Sequence, residues 1–541
     1  MEYLKQSTQD VHKYMTALQE AQADGTKLDS AAVTDEAPQQ FQIVLDEAGK
    51  NADLIVRALL DGSALYEREH GVKVPADVAE NAIQMAYSTT RDAFRRYGLK
   101  SLALDSADSN HHDQISLQPN RAVVSILSAF TEAIPYAHYL PADIGSNEAK
   151  LAIMSHQAGV KFGQYEQNGS LDGADSGGSF ISAKRLHTSN PAGGGAVTGK
   201  LTKIQTNANT CDPSAGDLKL LRGRAIVYVN GIRCASEAAV TRGSGNNSVS
   251  GSIRIGGIEH VIGGTINTDT GEYALTSTPA LPTTVNVAVE SSIDFERQPD
   301  LTPSVISSVE TFPLLASPWR VTTHNTIDTR TQMANELNLD PHAESILAIQ
   351  TQFANERHRE VIRKGLRIAV NNTTTFDWGQ AKTLQDSGRA AVWADLSYPL
   401  AALSQQMALN TMNHGITHIY VTKNVLAQLR GLPATIFQSS GIADRPSVYR
   451  AGRLFGLYEV YYTPWELAET NTSAQILCVG KATDVARNPI VLGDAVAPMV
   501  LPLAVNSDLR QGSAFYARNF TELNPHQPSA MGFAMIEVTN F

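Results

Sequence analysis

No glycine interrupts the chain between Pro341 and Gly365, and this run reads as one long amphipathic helix. Asp340 suits the N-cap, and Pro341 suits the first helical position, where its missing N–H is harmless. Ile346, Ile349, Phe353, Ile362 and Leu366 fall on or near one face, and Glu356, Arg357, Arg359, Glu360 and Arg363 charge the opposite one. At ~1.5 Å per residue, about 25 residues reach about 40 Å. That exceeds the average helix of a globular domain.

The rest of the composition narrows the class. A chain of 541 residues suggests roughly two to four domains. With 42% hydrophobic and 18% charged residues it has material for a large core, which excludes generic disorder and a collagen or coiled-coil fibre. The longest apolar stretch, around Ala122 to Phe130, is far short of the ~20 residues of a spanning helix. Met1 to Gln6 lack the basic-then-apolar pattern of a secretion signal, so the Asn-x-Ser/Thr triplets at Asn168 and Asn471 carry little weight. Cys211, Cys234 and Cys478 have no disulfide or metal spacing and read as buried apolar side chains in a reducing compartment. A net charge of −11 argues against a general nucleic-acid-binding surface.

Along the chain the character changes several times. Residues 1–110 are helical and acidic, with 11 basic against 18 acidic residues. Leu4, Val11, Met15 and Leu18 mark one amphipathic helix, Leu54 to Leu59 a second, and Val74-Pro75-Ala76-Asp77 starts a third that runs to Gly98. Polar stretches at 26–40 and 105–118 read as linkers. The segment 119–155, with Pro119, Pro135 and Pro141, reads as an extended arm with one short helix. Glycines from Gly163 to Gly178 suggest a long flexible hairpin over 156–195. Residues 196–300 carry short Val/Ile/Thr runs joined by turn pairs: Ile226–Val229 into Asn230-Gly231, Ile253–Ile255 into Gly256-Gly257, and Thr265-Ile266 through Asp269-Thr270-Gly271 to Tyr273–Leu275. That is a compact antiparallel β domain. After the long helix comes an α/β stretch: a helix from Pro399 to Asn413 closed by Gly415, a strand Ile419–Val421, a helix Asn424–Leu429, and strands at Tyr458–Tyr462 and Ile476–Val479. Strands return from Ala497 to Phe541.

Catalytic and ligand motifs fail on context. Gly194-Gly195-Ala196-Val197-Thr198-Gly199-Lys200 nearly matches a phosphate loop, but Leu201 stands where a magnesium-binding Ser or Thr is needed, and β pattern follows instead of a helix. His111-His112-Asp113 sits alone in a polar linker. Asp340, His342 and Glu344 point to different sides of a helix and cannot converge on one ion. His358 belongs to a charged helix face, not to a zinc motif. Asn267 to Gly271 lacks the downstream Glu of a calcium loop. No catalytic, cofactor-binding or metal residue is assigned, and the expectation is a non-enzymatic, structural chain.

Three stretches resemble a known family. Met333–Leu337 into Asp340–Glu344 and on to Asn355–Val361 is similar to the spine-helix start of the major capsid proteins of tailed double-stranded DNA phages. Ile416–Val425, with Gly452 and Tyr458–Tyr461, resembles the strand-then-helix of that family's axial domain. Pro502 through Phe515–Asn519 to Asn524-Pro525 resembles its closing strands. The order of parts is closest to the larger, T-even-like versions with an insertion.

The resemblance implies an α+β, Hong Kong 97-type fold divided as follows: a helical N-terminal region (1–110), an N-terminal arm (111–155), an extended hairpin loop (156–195), an inserted antiparallel β domain (196–300), a peripheral domain with the spine helix (301–375), an axial α/β domain (376–496) and returning peripheral strands (497–541). It implies self-assembly into hexamers and pentamers of an icosahedral shell around packaged DNA contacted non-specifically. Further partners would be a portal protein at one vertex and minor capsid, decoration or scaffold proteins, with no membrane. The place would be the virion, assembled in the host bacterial cytoplasm. It also implies a lumen-facing acidic leader, of a kind often clipped in the family. Family members sometimes crosslink through a hairpin lysine; Lys184 and Lys200 lie nearby without a motif to support it. The competing readings are an encapsulin-like nanocompartment shell, a multidomain hydrolase with a β accessory domain, and a tail sheath.

Overall fold

A computed structural model describes residues 2–23, 37–88, 90, 122–140, 142, 147–192, 195–239, 245–336, 341–385, 388–502 and 510–541. The chain divides into two units: Met1–Ile153 with Thr311–Phe541, and Met154–Glu310.

The first unit holds two sheets. A seven-stranded mixed sheet runs in the order Thr373–Asp377, Phe533–Thr539, Ser473–Gly480, Ile416–Val421, Tyr458–Tyr462, Tyr449–Leu454, Phe437–Ser439. Its central strands are apolar almost throughout, as strands covered on both faces must be. The two-residue period of a strand divides them between two cores. Ile419, Val421, Val460, Ile476 and Cys478 face Trp393, Leu400, Met407 and Val425 from the helices Arg389–Ala394, Ser397–Thr411 and Lys423–Arg430. Tyr420, Tyr461, Leu477 and Val479 face the opposite core, which contains Val361 and Ile362 of the long helix. The helix before Ile416–Val421 ends at Met412 in the left-handed conformation, three residues ahead of the glycine expected to close it.

The long helix spans Pro341–Ala369. Its one interior glycine is a packing device: a Cβ at Gly365 would lie 2.5 Å from the Phe533 ring, so the helix rests directly on the sheet there. A four-stranded sheet, in the order Ala137–Tyr139, Ile490–Pro502, Arg510–Leu523, Ser317–Thr326, lies alongside, parallel only in its first pair. The final strand of the chain, Phe533–Thr539, joins the seven-stranded sheet instead of this one.

The acidic leader is no appendage. The helices Glu2–Ala23, Gln39–Ala48, Ala52–His70 and Ala76–Ser88 share one buried cluster with Tyr420, Tyr461, Phe533 and the long helix. Asp77, Val78, Ala79, Asn81, Ala82, Ile83, Met85, Ala86 and Tyr87 are all buried, and only the stripe Ala76, Glu80, Gln84 and Ser88 is half-buried, so most of the circumference of Ala76–Ser88 is covered. Periodicity shows which stripe of a helix is apolar but not how much chain arrives to cover the remainder. Residues 91–98 of the expected third helix, and the linkers at 26–36 and 105–118, lie outside the described residues.

The second unit is built on an eight-stranded antiparallel sheet in the order Lys184–Ser189, Val287–Ser292, Ile226–Val229, Ile232–Glu237, Asn246–Ile255, Ile258–Asn267, Glu272–Thr278, Val197–Lys200. The turn pairs sit where expected, with Val229 opposite Ile232, Ile255 opposite Ile258 and Ile266 opposite Tyr273. The end strands curl toward each other: a Cβ at Gly199 would fall 2.3 Å from Tyr273 Oη and 2.8 Å from the His187 ring.

The expected hairpin over 156–195 forms differently. Its two long strands are Glu148–Ala158 and Val305–Leu315, which form a two-stranded sheet, and the end of the first also bridges Gln157 to Ser170. The glycine-rich residues instead fold against the β domain, because Phe162, Tyr165 and Phe180 in that stretch bury with Phe295. Arg185, fully buried, lays its guanidinium 4.5 Å over the Phe162 ring and donates to the Ser182 and Lys184 carbonyls at 2.8 and 2.7 Å.

Candidate functional site

The charged face expected on the long helix is split by the structure. Arg359 and Arg363, one turn apart, converge on Glu466, and Arg363 pulls its carboxyl below the usual range ahead of Arg359. Lys364 bridges Glu360 and Glu522 at 2.9 Å each. Arg357 turns inward. Its Nη1 lies 3.1 Å from Asp494 Oδ1 and 3.4 Å from Glu132 Oε2, with side-chain exposures of 3, 2 and 7% for the arginine, the aspartate and the glutamate. Ser128 Oγ donates to Glu132, and Asn81 Nδ2 donates to Asp494 Oδ2 at 3.4 Å. Four separate stretches of chain thus meet at one ionic cluster: helix Ala76–Ser88, the helical residues 122–131, the long helix and strand Ile490–Pro502. Just beside it Asp77 Oδ2 accepts from Tyr139 N at 3.0 Å and faces His138 Nδ1 at 3.3 Å.

Burial dominates the electrostatics. It raises the Glu132 carboxyl to about 7, the Arg357 charge opposing and the Asp494 charge adding to the shift. Burial also works against the Arg357 charge, but Asp494, Tyr139 and Glu132 outweigh it and hold the group above its usual value. His358, expected on an exposed face, is half-buried, and its Nε2 lies 2.9 Å from Tyr420 Oη. Tyr420 in turn meets Tyr136 Oη at 2.9 Å, and His70 Nδ1 meets Tyr461 Oη at 3.0 Å. Desolvation pushes His358 and His418 down to about 3 and His70 to about 4, so these imidazoles are neutral packing groups. A cavity of about 560 Å³ touches Glu132, His358, His70 and Tyr461.

The weighed motifs resolve into structure. Val197–Lys200 is a strand, and Lys200 Nζ bonds Asp217 at 2.7 Å; Gly194 lies outside the described residues. Asn267 Oδ1 caps its own turn by accepting from Asp269 N, and the Asp269 carboxylate pairs with Arg297 at 2.7 Å. Lys184 pairs with Glu290 at 3.1 Å. His111, His112, Asp113 and Asp340 lie outside the described residues, as does the side chain of His342. Cys211 and Cys478 are buried, Cys234 is half-buried, and burial raises all three thiols. Among the described residues no group of three or more His, Cys, Asp or Glu could hold a metal ion, and no helix is long and apolar enough to cross a membrane.

Two surfaces lack cover. In the second unit, Val305, Ile306 and Val309 are 54, 46 and 46% exposed, and Met154 is 50% exposed. Ser155 Oγ meets Ser308 Oγ at 2.9 Å, so Met154 and Val309 stand one step along on the two paired strands. The other edge of Val305–Leu315 has no strand partner among the described residues. In the first unit, a groove of about 510 Å³ runs between the long helix and the sheet-end strand Ser317–Thr326, lined by Trp319, Val321, Ile349, Phe353 and Phe515. Phe353 packs edge-on against Trp319 and at a tilt against Phe515, both with centroids 5.2 Å apart.

The residues sequence reasoning missed are Glu132, Asp494 and Asp77. The first two were marked as lone acids inside apolar runs, Ala129-Phe130-Thr131-Glu132-Ala133-Ile134 and Ile490-Val491-Leu492-Gly493-Asp494-Ala495. A buried carboxylate almost always has a partner.

No protein-family model matches the chain, and no curated protein sequence matches it. Among solved structures, it is similar to a chain of Microbacterium phage Oxtober96, at 14% identity over 44% of this chain and 77% of that one, with a TM-score of 0.30. It is similar to the capsid of jumbo bacteriophage PhiKZ at 11% identity over 60% and 69%, with a TM-score of 0.31. It is similar to the SrpI encapsulin of Synechococcus elongatus PCC 7942 at 11% identity over 44% and 79%, with a TM-score of 0.27. At these scores the superposable part is too small to decide fold or function.

Proposed function

We propose that the chain is a shell subunit, the major capsid protein of a tailed double-stranded DNA phage, which self-assembles as hexamers and pentamers around packaged DNA. The observation that carries this reading is a pair of unlike, uncovered surfaces. The ribbon offers branched aliphatic side chains and a bare strand edge, and the groove offers an aromatic floor beside a second sheet-end strand. Unlike surfaces that meet between copies build rings and closed shells, whereas a self-complementary patch would stop at a dimer. A strand edge of one copy satisfied by the next gains main-chain hydrogen bonds as well as apolar burial. The long helix serves as the beam that holds the groove in shape. The N-terminal helices, packed into the core, act as a permanent part of the subunit and not as a scaffold to be clipped. A portal, decoration proteins and non-specific DNA contact belong to the same proposal.

The test is negative-stain microscopy and nucleic-acid analysis of particles made by the full chain. Closed shells holding double-stranded DNA when co-produced with a packaging apparatus are expected. Shells filled with a cargo enzyme would favour the nanocompartment, tubes would favour a sheath, and monodisperse monomers under every condition would overturn the shell reading.

A further inference from the structure

The ionic cluster at the centre of the first unit does not balance. Two carboxylates, Glu132 and Asp494, face one guanidinium, Arg357, and all three side chains are over nine-tenths buried. Fully ionised, the cluster carries a net charge of −1 in a place with little solvent. One proton on one carboxylate makes it neutral.

Among the described residues, no cation besides Arg357 lies within ion-pair distance of either carboxylate. From the long helix, His358 faces the site as a neutral ring bonded to Tyr420. From strand Ala137–Tyr139, His138 is engaged by Asp77, and the Tyr139 hydroxyl donates to the Glu132 carbonyl. Helix Ala76–Ser88 brings a further carboxyl, Asp77, and the neutral Asn81. Glu69, His70, Arg445 and Arg450 line the cavity that Glu132 borders. Arg445 is paired with Glu69 and Arg450 with Glu459. Lys481, drawn by Asp77, is itself disfavoured as a cation by burial.

We propose that the Glu132–Arg357–Asp494 cluster is a proton-operated fastening, which holds helix Ala76–Ser88 and residues 122–139 against the long helix when one carboxylate is protonated and loosens them when both are ionised. The inference does not depend on what the chain assembles into. The carboxylate that takes the proton is Glu132, which borders the cavity, in keeping with its value of about 7. The sign follows. A carboxyl that binds its proton more tightly closed than open makes opening easier as pH rises, from the ordinary range up to the raised value, with no further change above it. Local opening that exposes Glu132 should therefore rise about tenfold per pH unit between pH 5 and 6.5 and level off above pH 7.

The experiment is hydrogen exchange of the full-length protein across pH 5 to 8.5, corrected for intrinsic amide chemistry, read over residues 76–88 and 122–139. The wild type should show the rise and the plateau. Glu132→Gln keeps the protonated shape, leaves one carboxylate for one guanidinium, and should be flat. Asp494→Asn should also be flat if it folds, since Glu132 then pairs alone with Arg357. The double variant strands the Arg357 charge and should fail to fold or melt far below either single. A flat wild type, an unchanged rise in Glu132→Gln, or a Glu132→Gln chain that does not fold would each overturn the proposal.

Discussion

Val309→Asp is the sharpest test of self-association. Val309 is 46% exposed in the single chain, so about 70 Å² of it remains for a neighbour to cover. At ~25 cal/mol per Å², that contact contributes about 2 kcal/mol. A carboxylate in its place forfeits that contribution and adds about 1–3 kcal/mol for a charge enclosed without a partner. Each subunit contact should weaken by roughly 100- to 4,000-fold. The isolated subunit should lose about 1 kcal/mol at most, since the position is already half in water and only strand preference changes. The assay is paired: thermal unfolding of the subunit, then light scattering and microscopy of assembly against concentration. Ser252→Asp, on an exposed position of the strand Asn246–Ile255, is the control and should assemble as the parent does. A Val309→Asp chain that unfolds normally and forms shells at the parent concentration would refute the assignment of the ribbon as a contact surface.

Two further outcomes follow from packing. Phe353→Ala removes a buried ring wedged between Trp319 and Phe515 and should cost about 3–5 kcal/mol in urea unfolding, with loss of assembly even where the subunit still folds. Residues 154–310 expressed alone should fold cooperatively, because their core and eight-stranded sheet are their own. Gly199→Ala in that piece should cost about 1–3 kcal/mol, as its methyl meets Tyr273.

How much of this could be read beforehand depended on the range of the forces involved. The β domain was legible because Asn230-Gly231, Gly256-Gly257 and Asp269-Thr270-Gly271 set their hairpins locally, through turn chemistry that needs no distant partner. The long helix was legible for the same reason, and Tyr458–Tyr462 fell where its pattern put it. Arg357 and His358 were misplaced on the charged face. Helical spacing put them among polar neighbours, and the groups that draw them inward, Asp494 and Tyr420, lie 137 and 62 residues away. The ribbon was misplaced because its second strand follows a whole inserted domain, so glycines near the first strand looked like the hairpin. The cluster's acids had a local signal, a lone charge in an apolar run, but nothing nearby to name the partner.

The deeply packed helix Ala76–Ser88 has a consequence for biosynthesis. Its Asn81 bonds Asp494, made 413 residues later on the ribosome. The segment must therefore wait, without its final neighbours, through most of translation. The contiguous β domain suffers no such delay and can mature while the nascent chain is still growing. Chaperone dependence should thus concentrate on the early helices, and slowing translation should help the β domain far more than it helps them.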